Sequence, residues 1–137
     1  MNPDIIKISA LSIKDKKVLL VKAEGKDFWS SLGGKIENNE EHVECLKREI
    51  KEEINLNLVS ATLYLEAPIV PTDNNDGRTI KNFFYIVETS GETQLNPDDQ
   101  IKEYKWLSKD EFVNRDFKIG TALERFAIPK LIKDGLI

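Results

Sequence analysis

The chain has very few of the residues that build disulfides and zinc sites. Its 137 residues include one cysteine, Cys45, and one histidine. A single cysteine excludes an internal disulfide, and this scarcity argues against a zinc site with cysteine and histidine ligands. No run approaches the roughly 18 apolar residues of a membrane-spanning helix, and the first residues lack the pattern of a secretory signal. These absences lead us to expect a cytoplasmic protein without a membrane anchor.

An excess of positive charge is also missing. Lysine and arginine number 20 against 24 aspartates and glutamates, so the net charge is −4 and the pI is near 5.1. A protein that grips nucleic-acid backbones needs the opposite balance, so nucleic acid is not an expected partner. A nucleotide remains acceptable as a substrate, because a bound cation can supply the positive charge.

The chain is expected to form one domain, residues 1–137, because its length suits a single domain and no repeat or linker interrupts it. Alternating or β-branched runs predict strands, which are residues 5–13, 18–21, 56–67, 80–88 and 104–107. A double glycine, Gly33 and Gly34, is expected to end a short apolar stretch and begin a loop. The order of the elements predicts an α/β (α+β) fold in which helices cover a mixed sheet.

Two longer helices are predicted. The first runs from Glu40 or Glu41 to Ile54 and contains no glycine or proline. Its apolar residues recur at helical spacing and predict one buried stripe, formed by Val43, Leu46, Ile50 and Ile54. The second covers residues 121–133, with a kink or early end at Pro129. Ser108 and Glu111 have the pattern of a capping box, which indicates a further helical start.

The first helix lies in the segment GGKIENNEEHVECLKREIKEEINLNL, residues 33–58, which holds seven glutamates. Glu49, Glu52 and Glu53 follow helical steps, so they fall within an arc of about 100°. A divalent cation removes the repulsion between crowded carboxylates, and ligands made only of oxygen suit Mg²⁺ or Mn²⁺. The alternative is a solvated surface laced with ion pairs, such as Glu44 with Arg48 and Arg48 with Glu52.

The order of these residues resembles a known motif. From Gly34 to Leu56 the chain follows G-x5-E-x7-R-E-U-x-E-E-x-G-U, where U is a bulky aliphatic residue; this is the Nudix box. Only the final glycine differs, since Asn55 stands in its place. Asparagine is the next best residue for the left-handed conformation that ends many helices, so the motif keeps its cap. The chain is therefore similar to the Nudix hydrolases.

The resemblance implies a Nudix-type α/β/α sandwich and a hydrolase that cleaves a nucleoside diphosphate linked to another group. It implies Mg²⁺ or Mn²⁺ as the cofactor, with Glu49, Glu52, Glu53 and the carbonyl oxygen of Gly33 as ligands. The implied catalytic residues are Glu49, Glu52, Arg48 and Glu40. In this set Arg48 orients the carboxylates, Glu40 supports the site, and Glu49 is either a ligand or the general base. Other base candidates lie before the last strand, at Asp98, Asp99 and Glu103.

The substrate is less determined by the resemblance. Lys35 is a candidate phosphate contact, and Trp29 and Phe84 are candidates for stacking a base, with the core as the alternative place for both aromatic residues. The small size of the chain favours a (deoxy)nucleoside triphosphate. Pro71, 15 residues after Leu56, is a weak hint of ADP-ribose hydrolysis. A nucleotide sugar and a non-catalytic nucleotide sensor are the further alternatives, and a homodimer is expected from the family without an interface that the sequence identifies.

Overall fold

Eight strands and three α-helices make up the computed structural model, which describes residues 1–137. The strands are β1 (Ile5–Lys14), β2 (Lys17–Ala23), β3 (Phe28–Lys35), β4 (Asn57–Glu66), β5 (Val70–Pro71), β6 (Thr79–Ser90), β7 (Ile101–Ser108) and β8 (Lys118–Ile119). The α-helices are α1 (His42–Ile54), α2 (Lys109–Val113) and α3 (Ile128–Lys133), and a π-helical segment, Leu123–Ala127, leads into α3. All five predicted strands are present, and β3, β5 and β8 are additional.

Strand β1 lies at the centre of the sheet. It runs parallel to β6, where Ile8 is opposite Phe83, and antiparallel to β3, where Ile8 is opposite Gly34. The strand order is β4-β6-β1-β2-β3-β8, with β5 paired to β6 and β7 paired to β2. Strands β3 and β8 form a second parallel pair. The predicted mixed sheet is therefore confirmed.

Each face of the sheet has its own hydrophobic core, because neighbouring residues of a strand point to opposite sides. Along β1, Ile8 and Ala10 belong to one core and Leu11 belongs to the other. Helix α1 covers the first core with Cys45, Leu46, Ile50 and Ile54. The π-helical segment, α2 and α3 cover the second core with Phe112, Leu123, Ala127 and Leu131. Helices on both faces form the expected sandwich.

Two local predictions are wrong. The double glycine does not end the stretch before it: β3 continues through Gly33 and Gly34, which pair with β1. The expected stripe of α1 also shifts by part of a turn, because Val43 is 49% exposed while Cys45 is fully buried. The helix thus turns Glu49 and Glu53 of its acidic side towards Gly33 and Gly34 of β3.

The predicted caps are confirmed. Asn55 ends α1 in the left-handed conformation, with φ 60° and ψ 25°, and its N–H donates to the carbonyl of Lys51. Ser108 begins α2, where its hydroxyl accepts from the N–H of Glu111 and the Glu111 carboxylate accepts from the N–H of Ser108. These bonds satisfy backbone groups that a helix end would otherwise leave without a partner.

The predicted second helix is irregular around Pro129. A π-helical segment, Leu123–Ala127, precedes the proline, which stands in the first turn of α3. Proline has no N–H to donate and suits the first turn of a helix, which explains why α3 starts anew there. None of the helices combines the length and the apolar character that crossing a bilayer requires.

Candidate active site

The two glycines of β3 bring the backbone of the sheet close to the carboxylates of α1. The Gly33 N–H donates to Oε1 of Glu53 over 2.8 Å. Gly33 has φ +115°, and a Cβ there would collide with the carbonyl oxygen of Ile8. A Cβ on Gly34 would lie 2.5 Å from the carboxyl carbon of Glu49. Any side chain at either position would therefore displace the strand or the carboxylates.

Arg48 holds two glutamates in place from α1. Its Nε and Nη2 donate to the two carboxylate oxygens of Glu40 over 2.7 and 2.9 Å, and its Nη1 donates to Glu49 over 2.7 Å. The predicted pair with Glu52 forms at 3.5 Å. The suggested pair with Glu44 does not form, because the Glu44 carboxylate instead accepts from the N–H of Glu41 at the start of α1. Such a two-bond arginine–carboxylate contact fixes direction as well as distance.

A cleft of about 440 Å³ opens beside the two glycines. Four carboxylates line it, those of Glu49, Glu53, Asp98 and Asp99. Two of them come from α1 and two from the loop before β7, so the fold brings together residues that are far apart in the sequence. The Asp99 carboxylate also accepts from the N–H of Ile101 over 3.0 Å, which anchors it at the end of the loop.

Among the carboxylates expected to be ligands or bases, Glu52 and Glu103 lie outside this cleft. Glu52 is not among the lining residues, and its side chain is 51% exposed. One step along a helix turns a side chain by about 100°, so Glu53 and its neighbour Glu52 leave α1 in different directions. Glu52 instead shares the Nη1 of Arg48 with Glu49, at 3.5 and 2.7 Å, and the ligand and catalytic roles expected of Glu52 stay predictions. Glu103 is exposed on β7, opposite Lys22 of β2.

The carboxylates of the site have altered proton affinities. Burial raises the pKa of Glu53, which is 6% exposed, to about 8; the Gly33 N–H and the Lys7 ammonium oppose this rise. Burial also raises the pKa of Glu49, against the stabilising bond from Arg48. The same arginine lowers the pKa of Glu40 to about 2 by hydrogen bonding. Glu40 is thus held charged, whereas Glu53 favours its proton until a cation compensates it.

The side chains fit a divalent cation by chemistry but are not arranged as a preformed cage. No three His, Cys, Asp or Glu side chains stand together closely enough to hold a metal ion as they are placed. The bond to Arg48 directs Glu49, and the Gly33 N–H occupies one oxygen of Glu53. The set is nonetheless composed of carboxylates that border one cleft, and hard oxygen ligands suit Mg²⁺ or Mn²⁺. Binding requires small rotations of these side chains.

A second cavity, of about 170 Å³, lies on the opposite face of β1. Its walls are mainly apolar and include Phe28, Val70, Ile80, Phe84 and Leu123. Phe84, a candidate for base stacking, does line it but is 1% exposed, so only a small part of its ring is available. Trp29, the other candidate, is buried in the core, and the ammonium of Lys105 lies 4.4 Å from its ring centre. Lys35 is exposed and lies beside Glu49.

Sequence reasoning missed three polar residues of this cavity: Lys7, Asp73 and Asn82. One signal for Lys7 was present, because β1 is otherwise apolar around it and a lysine there is unusual. Burial lowers the pKa of Lys7, while the charges of Glu53, Glu49 and Asp73 oppose that change. Asn82 gave no such signal, because it meets Lys7 only through the parallel pairing of β1 with β6.

Comparisons with known proteins identify the fold and the family. The NUDIX domain model matches residues 5–126. A MutT NUDIX hydrolase from Burkholderia pseudomallei is 24% identical, with a TM-score of 0.77 over 93% of this chain and 97% of that one. A NUDIX hydrolase from Nitrosomonas europaea is 20% identical, with a TM-score of 0.72 over 98% and 91%. The E. coli ORF135 protein is 24% identical, with a TM-score of 0.67 over 94% and 92%.

No curated protein matches the chain in sequence. The family model nevertheless spans most of the chain, and the similar structures share its fold. The chain therefore belongs to the Nudix hydrolases, enzymes that cleave phosphoanhydride bonds.

Proposed function

We propose that the protein is a Mg²⁺- or Mn²⁺-dependent pyrophosphohydrolase that acts on a nucleoside diphosphate linked to another group, with a (deoxy)nucleoside triphosphate as its substrate. The observation that supports this most is the cleft in which Glu49, Glu53 and Asp99 surround the glycines of β3. The cavity lies close by, because Ser31, two residues before Gly33, is one of its walls. In this proposal the phosphate chain occupies the cleft and the nucleoside occupies the cavity.

The residues of the site have separate tasks in this proposal. A divalent cation, when bound, supplies positive charge to the phosphate oxygens and makes a nearby water more acidic. Glu49 and Glu53 hold the cation. Arg48 orients Glu49 and is itself held by Glu40, through bonds of 2.7 to 2.9 Å. The backbone of Gly33 positions Glu53. The exposed Lys35 contacts the outer phosphates.

We assign the role of general base to Asp99 and that of a ligand to Glu49, and Glu52, which lies outside the cleft, serves as the comparison. Asp99 borders the cleft with Glu49 and Glu53, whereas Glu52 does not. A base must lie within hydrogen-bond reach of the water that it deprotonates. Asp99→Asn is expected to lower kcat by roughly 100-fold or more, and Glu52→Gln by clearly less. Steady-state kinetics of both variants across pH 6 to 10 decides; the assignment fails if Glu52→Gln has the larger loss.

The triphosphate is favoured over the alternatives by the lengths of similar proteins. A UDP-X diphosphatase and a bifunctional NMN adenylyltransferase/ADP ribose pyrophosphatase share the fold at 17% and 20% identity. This chain covers only 64% of the first and 42% of the second, whereas it covers 97% of the MutT NUDIX hydrolase chain.

A substrate panel tests the proposal. The protein is freed of metal with EDTA and assayed with Mg²⁺ or Mn²⁺ on nucleoside triphosphates, ADP-ribose, nucleotide sugars and dinucleoside polyphosphates, with chromatography of the products. We expect cleavage of a triphosphate to a monophosphate and pyrophosphate, only with metal present. Preference for ADP-ribose or a nucleotide sugar would replace the triphosphate assignment. Binding of nucleotides without cleavage of any of them would indicate a sensor. Light scattering under the same conditions tests for the homodimer.

A further inference from the structure

Lys7 occupies an unusual place for a lysine. It lies on β1 with Ile5 on the same face, partly buried, and its side chain lines the 170 Å³ cavity. Its only hydrogen bond is a long one, 3.5 Å from Nζ to the carbonyl oxygen of Ser31, and no carboxylate lies within 4.0 Å of the ammonium. Burying an ammonium is costly unless partners compensate it. Most N–H donors of the Lys7 ammonium therefore have no partner within the protein, and they face the cavity.

Asn82 adds a second donor beside Lys7. The two residues are opposite each other in the parallel pair β1–β6. Oδ1 of Asn82 accepts from the hydroxyl of Ser9 over 3.1 Å, with the amide nitrogen on the other side. No fully buried side-chain nitrogen or oxygen lacks a partner, so the amide nitrogen of Asn82, which has none, must open into the cavity that this residue lines. Lys7 and Asn82 thus present donors from two adjacent side chains to the cavity, whose other polar walls are Ser30, Ser31, Thr72, Asp73 and Asn74.

The charges around the cavity indicate a neutral ligand group. Asp73 lies at its rim, where its carboxylate accepts from the N–H of Thr121 over 3.1 and 3.2 Å and from the hydroxyl over 2.5 Å. Glu49 and Glu53 also act on Lys7 through their charges. One lysine beside three carboxylates does not favour a second phosphate. Donors in an apolar slot suit instead the carbonyl oxygen of a flat, uncharged ring.

We propose that Lys7 and Asn82 select the nucleobase of the substrate by donating hydrogen bonds to the exocyclic oxygen of a keto base, as in guanine, hypoxanthine or uracil. Adenine and cytosine have an amino group at the same position. That group is a hydrogen-bond donor, so it cannot accept from Lys7 or Asn82. Phe84 and Ile80 flank the ring. This inference rests on the proposed function for the position of the phosphates, but the donor pair itself is a property of the cavity.

Two matched substrate pairs test the selection in the unmodified enzyme. ITP differs from ATP, and UTP from CTP, mainly in the replacement of the amino group by an oxygen. We expect kcat/KM to be at least about tenfold higher for ITP and for UTP, because unpaired buried donors discriminate strongly. Equal kcat/KM values within each pair, in an enzyme that hydrolyses all four, would overturn the inference and leave the proposed function intact.

Lys7→Met keeps the length of the side chain and removes the donor, and it suits a partly buried strand. We expect the ITP/ATP ratio of kcat/KM to fall towards one, mainly through a higher KM for ITP. The control is Lys14→Met, which changes an exposed lysine of the same strand outside this cavity and should keep the ratio of the parent. A ratio that Lys7→Met leaves unchanged contradicts the assignment of Lys7.

A binding measurement separates this inference from the proposed function. Calorimetry with IMP and AMP in the presence of EDTA reports base selection without hydrolysis. If none of the four triphosphates is cleaved but IMP binds more tightly than AMP, and Lys7→Met removes the difference, then the proposed function fails and the selection stands. If neither monophosphate is preferred, the selection is refuted whatever the enzyme hydrolyses.

Discussion

At the scale of single residues, Arg48 compensates the negative charge of the acidic helix α1. It contacts Glu40 and Glu49 at 2.7 Å each, and Glu37 and Glu52 at 3.6 and 3.5 Å. One guanidinium therefore compensates several carboxylates, and its own pKa rises because of its bonds to Glu40 and Glu49. Glu53 lies beyond this network, with only the Gly33 N–H as a direct partner. Arg48 therefore does not compensate the charge that Glu53 acquires when it loses its proton.

The raised pKa of Glu53 predicts a pH-dependent stability of the metal-free protein. The ordinary value of 4.5 applies when the chain is unfolded, and the folded value is about 8. The stability that the bound proton contributes is therefore complete below about pH 4.5 and is lost as the pH rises through about 8. Glu53→Gln has no titrating proton at this position. As the pH rises, we therefore expect the unfolding free energy of the parent to fall relative to that of the variant by on the order of a few kcal/mol.

Urea denaturation with EDTA at pH 5, 7 and 9 measures this difference. Other titrating groups change the stability of both proteins equally, and the comparison between the two proteins removes that common change. A difference between parent and Glu53→Gln that stays constant across the three pH values contradicts the raised pKa.

At the scale of elements, the approach of α1 to β3 depends on Gly34. A methyl group there meets the end of the Glu49 side chain, 2.5 Å away, which can move aside, rather than the backbone. We expect Gly34→Ala to change the unfolding free energy by less than about 1 kcal/mol and to lower kcat/KM by roughly 10- to 100-fold, because Glu49 is displaced. Urea denaturation and steady-state kinetics check the two effects.

Gly33→Ala is the matched comparison for this prediction. Its methyl group would meet the carbonyl of Ile8, and its φ of +115° is unsuited to alanine, so this variant should lose stability as well as activity. If Gly34→Ala keeps the full activity of the parent, then hydrolysis does not depend on the present position of the Glu49 side chain.

The end of α1 depends on Asn55. Its left-handed conformation costs most residues roughly 1 kcal/mol, and asparagine and glycine tolerate it best. We expect Asn55→Ala to lower the unfolding free energy by about 1 kcal/mol and Asn55→Gly to change it by about 0.5 kcal/mol or less. Urea denaturation distinguishes them, and equal losses in both variants would show that the side chain of Asn55, rather than its conformation, stabilises the helix end.

At the scale of the whole molecule, the sequence predicts best what is decided locally. The helical spacing of Glu49 and Glu53, the cap at Asn55 and the capping box at Ser108 depend on neighbours within one or two turns, and all are present. Motif spacing alone does not say which side of a helix meets the sheet, so it could not show that Glu49 and Glu53 border the cleft.

Features that depend on distant pairing could not be predicted. Gly33 and Gly34 look like a loop in isolation, and they are part of a strand only because β1 pairs with them. Lys7 and Asn82 meet through the parallel pairing of β1 with β6, which joins residues 75 positions apart. The apolar pattern identifies both strands but not their partners, so the cavity became visible only in the folded chain.

Hydrolysis is expected to depend on a divalent cation that Glu53 binds. Glu53→Gln keeps the size of the side chain and an oxygen for the Gly33 N–H, so the fold should persist by circular dichroism. Glu92→Gln, in an exposed loop away from the cleft, is the control. The most direct measurement is kcat of parent and both variants on the preferred triphosphate over a series of Mg²⁺ concentrations. We predict a loss of at least about 100-fold for Glu53→Gln and parental activity for Glu92→Gln; parental activity in Glu53→Gln would contradict the account.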